Sequence, residues 1–475
     1  MNLETYRSVL TRRSFLDHCA TGLGTIGLAH LMAADGLTAA TSTLPEGAGS
    51  PHFAPRAKNL IFLFMAGAPS QMDLFDPKPG LRRWHGEPLP PSMTADLKLA
   101  FIKPTAKVLA SPREFSRCGQ SGMEISDYLP NLQRQADDIC LIRSMQTDQV
   151  NHHPGQSMLM SGSPLAGRPT VGAWLTYGLG SESQSLPGFV VLSSGRGASG
   201  GSSNFSSGFL PSTFAGVPFR GSGDPILYLS NPSGVSRESQ RLTLETLRRL
   251  NDEKLRNSGD AEVASRMSNY ELAFRMQSAA PELLDFSDES QVTKDSYGIG
   301  QEPTNAYGTN CLMARRMVER GVRVVMLIHA SWDDHTNLDE GLRKNCDITD
   351  KPAAALLKDL KQRGMLDETL VVWGGEFGRT SLGQLKHVGD KVGRDHHPNG
   401  FSMWLAGGGT KGGHVVGSTD ELALKAEENP VHVHDLQATI LHLMGLDHER
   451  LTYRHMGRDF RLTDVSGRIV GDILA

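Results

Sequence analysis

The chain of 475 residues carries 48 Lys and Arg against 52 Asp and Glu, a formal net charge of −4 that excludes a nucleic-acid binder with a strongly basic face. Hydrophobic residues at 39% and a mean hydropathy of −0.30 describe a globular chain and exclude a multispan membrane protein. Its 51 Gly and 25 Pro are 76 of 475 residues, about 16%, below the level of low-complexity disorder.

At the N-terminus, Thr11-Arg12-Arg13-Ser14-Phe15-Leu16 precedes a short apolar run with three glycines, residues 20–32. A twin arginine before such a run resembles a bacterial twin-arginine export signal, and the run is too short for a membrane span of ~20 apolar residues. Residues 1–50 are therefore expected to be export signal and linker. That implies a periplasmic or extracellular protein, the twin-arginine export machinery as a partner, and no stable membrane span. Of five cysteines, Cys118, Cys140, Cys311 and Cys346 would remain after cleavage. They form no disulfide framework, and the lack of a CxxC pair argues against a thiolate zinc site.

From residue 51 to 475 the pattern is that of one α/β domain. Continuous apolar runs at 59–65, 139–142, 189–192, 322–328, 369–373 and 402–405 suit strands buried on both faces of a mostly parallel sheet. Helical periodicity appears at 242–250, 311–320, 353–362 and 436–443, and residues 221–310 read as a mainly helical insertion. The small-residue stretch 193–208 reads as a flexible surface loop. Strand–helix alternation of this kind places ligands at the carboxyl ends of the strands.

Polar clusters follow several of these strands. Asp73 lies shortly after the first, and Asn151-His152-His153-Pro154-Gly155-Gln156 lies after the second. The strand at 322–328 runs into His329-Ala330-Ser331-Trp332-Asp333-Asp334-His335, where Asp333 and His335 offer the carboxylate–imidazole mix that zinc, manganese or iron takes. The next strand ends at Gly374-Gly375-Glu376-Phe377-Gly378-Arg379. There Glu376 is a candidate ligand, and Arg379 is a candidate clamp for a phosphate or sulfate oxyanion. Asp395-His396-His397, in an expected turn fixed by Pro398, is the densest cluster and adds three candidate ligands. The 17 His are spread unevenly to match: none lies between Pro154 and Ile328, and nine fall from His387 to His455.

The order of these motifs resembles the bacterial family of unknown function numbered 1501, whose members look like sulfatase-like proteins of the alkaline phosphatase superfamily. Residues 58–79, 151–162, 332–337, 375–380 and 393–413 carry the resemblance, with the tail Val431-His432-Val433-His434-Asp435. It implies an alkaline phosphatase-like α/β fold, a central mostly parallel sheet flanked by helices on both faces, with one or two divalent metals at the strand ends. His152 then stands in the place of the sulfatase nucleophile and Gln156 in that of its supporting Arg. The paired Asp of the first strand is replaced by Ala66-Gly67, with Asp73 the nearest substitute. No cysteine stands at 152 to be converted to formylglycine.

The expected function is an exported metal-dependent hydrolase of phosphate or sulfate esters, acting on a small-molecule or polysaccharide ester. Its divalent ion would be zinc, manganese or calcium, with Asp73, Asp333, His335, Glu376, Asp395, His396 and His397 as candidate ligands. His152 would be nucleophile, ligand or acid–base group, and Arg379 would hold the oxyanion. The alternative is a non-catalytic, metal-stabilised binding or cell-surface module of the same fold.

Overall fold

Asn59–Ala66 (β1) is buried at every position, so neither face of this strand meets water. Successive side chains of a strand point to opposite faces, so full burial means that layers cover the sheet on both sides. The computed structural model describes residues 49–475 except 96, 98, 221–225, 227–229, 259–260 and 385–390. The twin-arginine segment expected from the sequence falls on residues 1–48, outside the described ones.

After β1 come Ile139–Gln146 (β2), His152–Ser161 (α1), Val171–Leu179 (α2), Phe189–Gly195 (β3) and Val217–Phe219 (β4). Helices Arg237–Ser258 (α3), Ala261–Leu284 (α4), Gln291–Tyr297 (α5) and Asn305–Glu319 (α6) follow. Val324–Ala330 (β5), Leu338–Gln362 (α7) and Thr369–Gly374 (β6) lead to a hairpin of Gly378–Gln384 (β7) and Gly393–His397 (β8). Phe401–Ala406 (β9), His414–Val416 (β10), Val431–His432 (β11) and Val433–Leu443 (α8) complete the main elements.

Nine strands form the central sheet in the order β10-β2-β9-β6-β1-β5-β3-β4, with β11 also beside β2. Every pairing is parallel except those of β9, which runs antiparallel to β2 and β6. The carboxyl ends of β1, β2, β5 and β6 therefore open on one edge. Apolar residues of α6 and α7 pack with Ile61, Leu63, Met65, Val325 and Leu327 on one face. Helix α2 covers the other, where a Cβ on Gly172 would lie 2.5 Å from the Phe189 ring.

Three local expectations are corrected. Helix α7 starts at Leu338 and contains Pro352, so the periodicity at 353–362 marks only its second half. The cluster at 393–397 is not a turn but strand β8, paired antiparallel to β7. The stretch 193–208 lies at the surface as expected but is structured and anchored: β3 continues to Gly195, Gly201–Phe205 forms a 3-10 helix, and Asn204 is fully buried. Among the described residues no helix is long and apolar enough to cross a membrane. Cys118, Cys140, Cys311 and Cys346 are buried and free.

Candidate metal centre

The route from β1 to the site passes through Gly67. It has φ +112°, and a Cβ there would lie 2.7 Å from the Asp333 amide nitrogen. Only glycine lets the turn after β1 pass this close to the turn after β5. That contact leaves no room for a side chain at position 67.

Four side chains from three elements converge beyond these turns. His152 opens α1, Asp333 and His335 follow β5, and His396 stands on β8. One ligand atom from each lies within 4.8 Å of all the others. Asp333 Oδ1 is the hub, 3.1 Å from His152 Nε2, 2.9 Å from His335 Nε2 and 3.3 Å from His396 Nε2. The β7–β8 register sets His396 opposite Arg379, so the hairpin delivers both to Asp333. Arg379 Nη2 donates to Asp333 Oδ1 at 2.7 Å.

The far nitrogen of each imidazole is held by an acceptor. His152 Nδ1 meets Glu376 Oε1 at 2.7 Å, His335 Nδ1 meets Gln384 Oε1 at 2.5 Å, and His396 Nδ1 meets the Val150 carbonyl at 2.6 Å. An acceptor at each Nδ1 suits a proton there, and all three Nε2 atoms face the centre. This is the arrangement of metal-ligating histidines, whose second nitrogen is held by a carboxylate or carbonyl. His152 Nε2, though close to Asp333, lies off the line of a hydrogen bond and has no bonded partner. Three imidazole nitrogens and a carboxylate oxygen this near one another can hold a cation between them. The donor set fits a divalent metal.

Charge follows the same geometry. Burial lowers the His152 pKa, but its close approach to the Asp333 and Glu376 carboxylates outweighs it and, before any metal binds, lifts the value to about 9. Burial opposes ionisation of Asp333, yet His152, His335, His396 and Arg379 hold it far below the usual carboxylate range. Burial pushes Asp334 up to about 7; the neighbouring Asp333 charge adds to this and Arg379 opposes it. His396 is lowered by burial, with Asp333 pulling the other way.

The remaining residues predicted from sequence take other places. Glu376 is fully buried and faces away from the four-atom group; besides His152 it accepts from Gln156 Nε2 at 3.1 Å and the Gly67 amide at 3.1 Å. Arg379 is also fully buried, and all three of its guanidinium nitrogens are engaged. Nε donates to the Ala68 carbonyl and Nη1 to that of Arg394, while Nη2 reaches Gly67, Trp332 and Asp333. It fixes Asp333 and has no free edge for a substrate oxyanion.

Asp73 is spent on Arg394, 2.9 Å from its Nε, and accepts from Ser70 Oγ at 2.5 Å. Alternation along β8 separates the last cluster, so that His396 faces the centre and its neighbours do not. Asp395 Oδ2 accepts the amides of Ala100, Phe101 and Ile102 at 3.2, 2.7 and 3.1 Å. His397 is buried elsewhere, its pKa lowered to about 4 by burial against the pull of Asp420.

Several contributors carry no sequence signal. Gln384 and the Val150 carbonyl are ordinary residues of a hairpin and a loop. Phe101, held by Asp395, lies edge-on to His335 and His396 with ring centres 5.5 and 5.4 Å away. Phe377 packs on His152 and His396 at 5.1 and 4.7 Å. A cavity of about 490 Å³ opens on His152 and Asp333 and is also lined by Arg196, Asp334, Glu340 and Lys344.

Fold and site together define an α/β protein with a candidate metal centre at the carboxyl edge of a mostly parallel sheet. The chain belongs to the family described as "Protein of unknown function (DUF1501)", whose model matches residues 57–474. Among curated proteins none matches the chain. Similar solved structures include the PsFucS1 sulfatase from Pseudoalteromonas sp., at 13% identity, 82% of this chain, 68% of that one and TM-score 0.35. A protein in the alkaline phosphatase superfamily from Vibrio parahaemolyticus is similar at 11% identity, 86% and 71% coverage and TM-score 0.34. The C-terminal periplasmic domain of EcEptC from Escherichia coli, solved with Zn, is similar at 9% identity, 86% and 88% coverage and TM-score 0.37.

Proposed function

We propose that this chain is an exported, metal-dependent hydrolase of phosphate or sulfate esters, with its metal held by His152, Asp333, His335 and His396. The observation that carries the reading is the convergence of three Nε2 atoms on a half-exposed carboxylate that opens on a cavity. A divalent cation held there supplies Lewis acidity toward an ester oxygen. Glu376, Gln384 and the Val150 carbonyl orient the imidazoles, Arg379 fixes Asp333, and Phe101 and Phe377 pack against the imidazole rings. Three nitrogens and one oxygen suit zinc or manganese; calcium, which takes about six to eight oxygen ligands, does not fit. His152 acts as a ligand in this reading, with Glu376 on its other nitrogen.

Purified mature protein should contain about one divalent metal per chain by elemental analysis. It should cleave aryl phosphate or aryl sulfate, lose that activity to a chelator and regain it with zinc or manganese. A second reading has an observation of its own. Four protein donors are the complement of a closed structural zinc site, and position 152 holds no Ser, Thr or Cys. Full metal content with no turnover on a broad ester panel would decide for that metal-stabilised binding module.

The Phe101 contact gives a separate expectation. Asp395→Asn removes the carboxylate that gathers three amides and lets the 100–102 loop swing off the centre. Extraction of the metal by a chelator should become about tenfold faster, with starting stoichiometry unchanged, and Phe101→Ala should act in the same direction. Stopped-flow chelation with a chromogenic indicator reads the rate.

A further inference from the structure

Arg379 is sealed among main-chain carbonyls, so an anionic ester has to be recognised by other cations. The cavity supplies two, Arg196 on the loop after β3 and Lys344 on α7. Both are exposed, and among the described residues neither side chain pairs with a carboxylate. Glu340, one helical turn before Lys344, also lines the cavity but lies beyond ion-pair distance of it. An unpaired Arg and Lys lining one cavity suit an anion, the guanidinium offering a planar fork and the ammonium a compact charge, beside the carboxylates Asp333, Asp334 and Glu340 of the same lining.

The Arg196 loop is a built feature despite its glycines. Gly195 has φ +73°, and a Cβ there would lie 2.8 Å from the Ala330 carbonyl. The Arg196 amide donates to that same carbonyl at 2.7 Å, which pins the loop to the end of β5. Further on, Gln156 Oε1 accepts the Gly200 amide at 2.8 Å and Asn204 Nδ2 at 3.1 Å. The other end of the Gln156 amide donates to Glu376, the residue that holds His152. One side chain thus ties the loop that carries Arg196 to the support of the candidate metal ligand.

We propose that Arg196 and Lys344 form an oxyanion subsite in the cavity beside the metal centre, able to bind phosphate or sulfate without the metal. The proposal rests on the hydrolase reading only for the identity of the substrate as an anionic ester. The anion is either the reacting group itself or a second charged group on the same substrate.

The test is calorimetric titration of inorganic phosphate and sulfate into full-length mature protein, before and after chelator treatment. Wild type should bind at least one of the two anions in both states, and Arg196→Gln and Lys344→Gln should each weaken binding about tenfold or more. Glu340→Gln should strengthen it by removing a like charge. Metal content should stay unchanged in all three variants, which separates this result from the fate of the metal reading. With a simple aryl phosphate as substrate, a raised KM in Arg196→Gln assigns the subsite to the reacting group. An effect confined to esters with a second anionic group assigns it to that group. No anion binding by the wild type, or equal binding by the double variant, overturns the proposal.

Discussion

Asp73→Ala should destabilise the fold by about 3–5 kcal/mol, the cost of leaving one member of a buried ion pair without its partner. Asp73 and Arg394 are both essentially inaccessible to solvent. Arg394 binds the carboxylate through Nε at 2.9 Å and Nη2 at 3.3 Å, and donates Nη1 to the Leu109 and Thr380 carbonyls. Truncation at 73 strips the guanidinium of its counter-charge while the main chain still holds it in place. Replacing both partners with apolar residues, as in Asp73→Leu with Arg394→Met, should recover much of the loss, because no buried charge is then stranded. Burial alone would raise the Asp73 pKa, but the Arg394 charge and hydrogen bond, with help from Ser70, hold it below the usual carboxylate range. A depressed pKa stabilises the fold above the unfolded value of ~3.9, and that stabilisation is lost as pH falls through the folded pKa. The gap between wild type and Asp73→Ala should therefore be full at neutral pH and shrink in strong acid. Thermal or urea unfolding across that range measures it.

Asp73 also shows where reading the sequence reached its limit. An acidic residue just past a buried strand is in the right neighbourhood for a metal. Whether it meets a metal or an arginine depends on a side chain 321 residues away. Six of the nine sheet strands were legible because each is a largely apolar run, whereas β4, β10 and β11 are only two or three residues long; the carboxyl-edge placement of the site followed from the parallel order. Asp395-His396-His397 was legible as a cluster but not as a division of labour. Only its pairing with β7 makes it a strand, and a strand sends alternate residues to opposite sides. Arg379 looked like a substrate clamp because a guanidinium is a planar fork for an oxyanion. The turns after β1 and β5 bring the Gly67, Ala68 and Trp332 carbonyls around that fork and close it off. The 193–208 stretch misled in the opposite direction. Its composition is that of a free loop, yet Gln156 fastens it to the site from another element.

Substitutions around the centre should rank by distance from the convergent Nε2 atoms and not by closeness in sequence. His335→Ala and His396→Ala each remove a donor and should abolish stoichiometric metal in the purified protein. Glu376→Gln keeps an acceptor oxygen near His152 Nδ1 but removes the charge that raises its basicity. It should weaken metal affinity by about 10–100-fold without emptying the site, and Gln384→Ala should do the same through His335. His397→Ala is the discriminating control, one residue from a ligand yet on the other side of β8. It should lower the melting temperature by opening a buried space while leaving metal content intact. Competition titrations against a chelator of known affinity give the constants, and elemental analysis gives the stoichiometry. Loss of metal in His397→Ala together with its retention in His335→Ala would show that the ion sits elsewhere in the β7–β8 hairpin. The opposite pattern would fix the centre on Asp333, where three imidazoles with occupied Nδ1 atoms leave a cation the partner their geometry lacks.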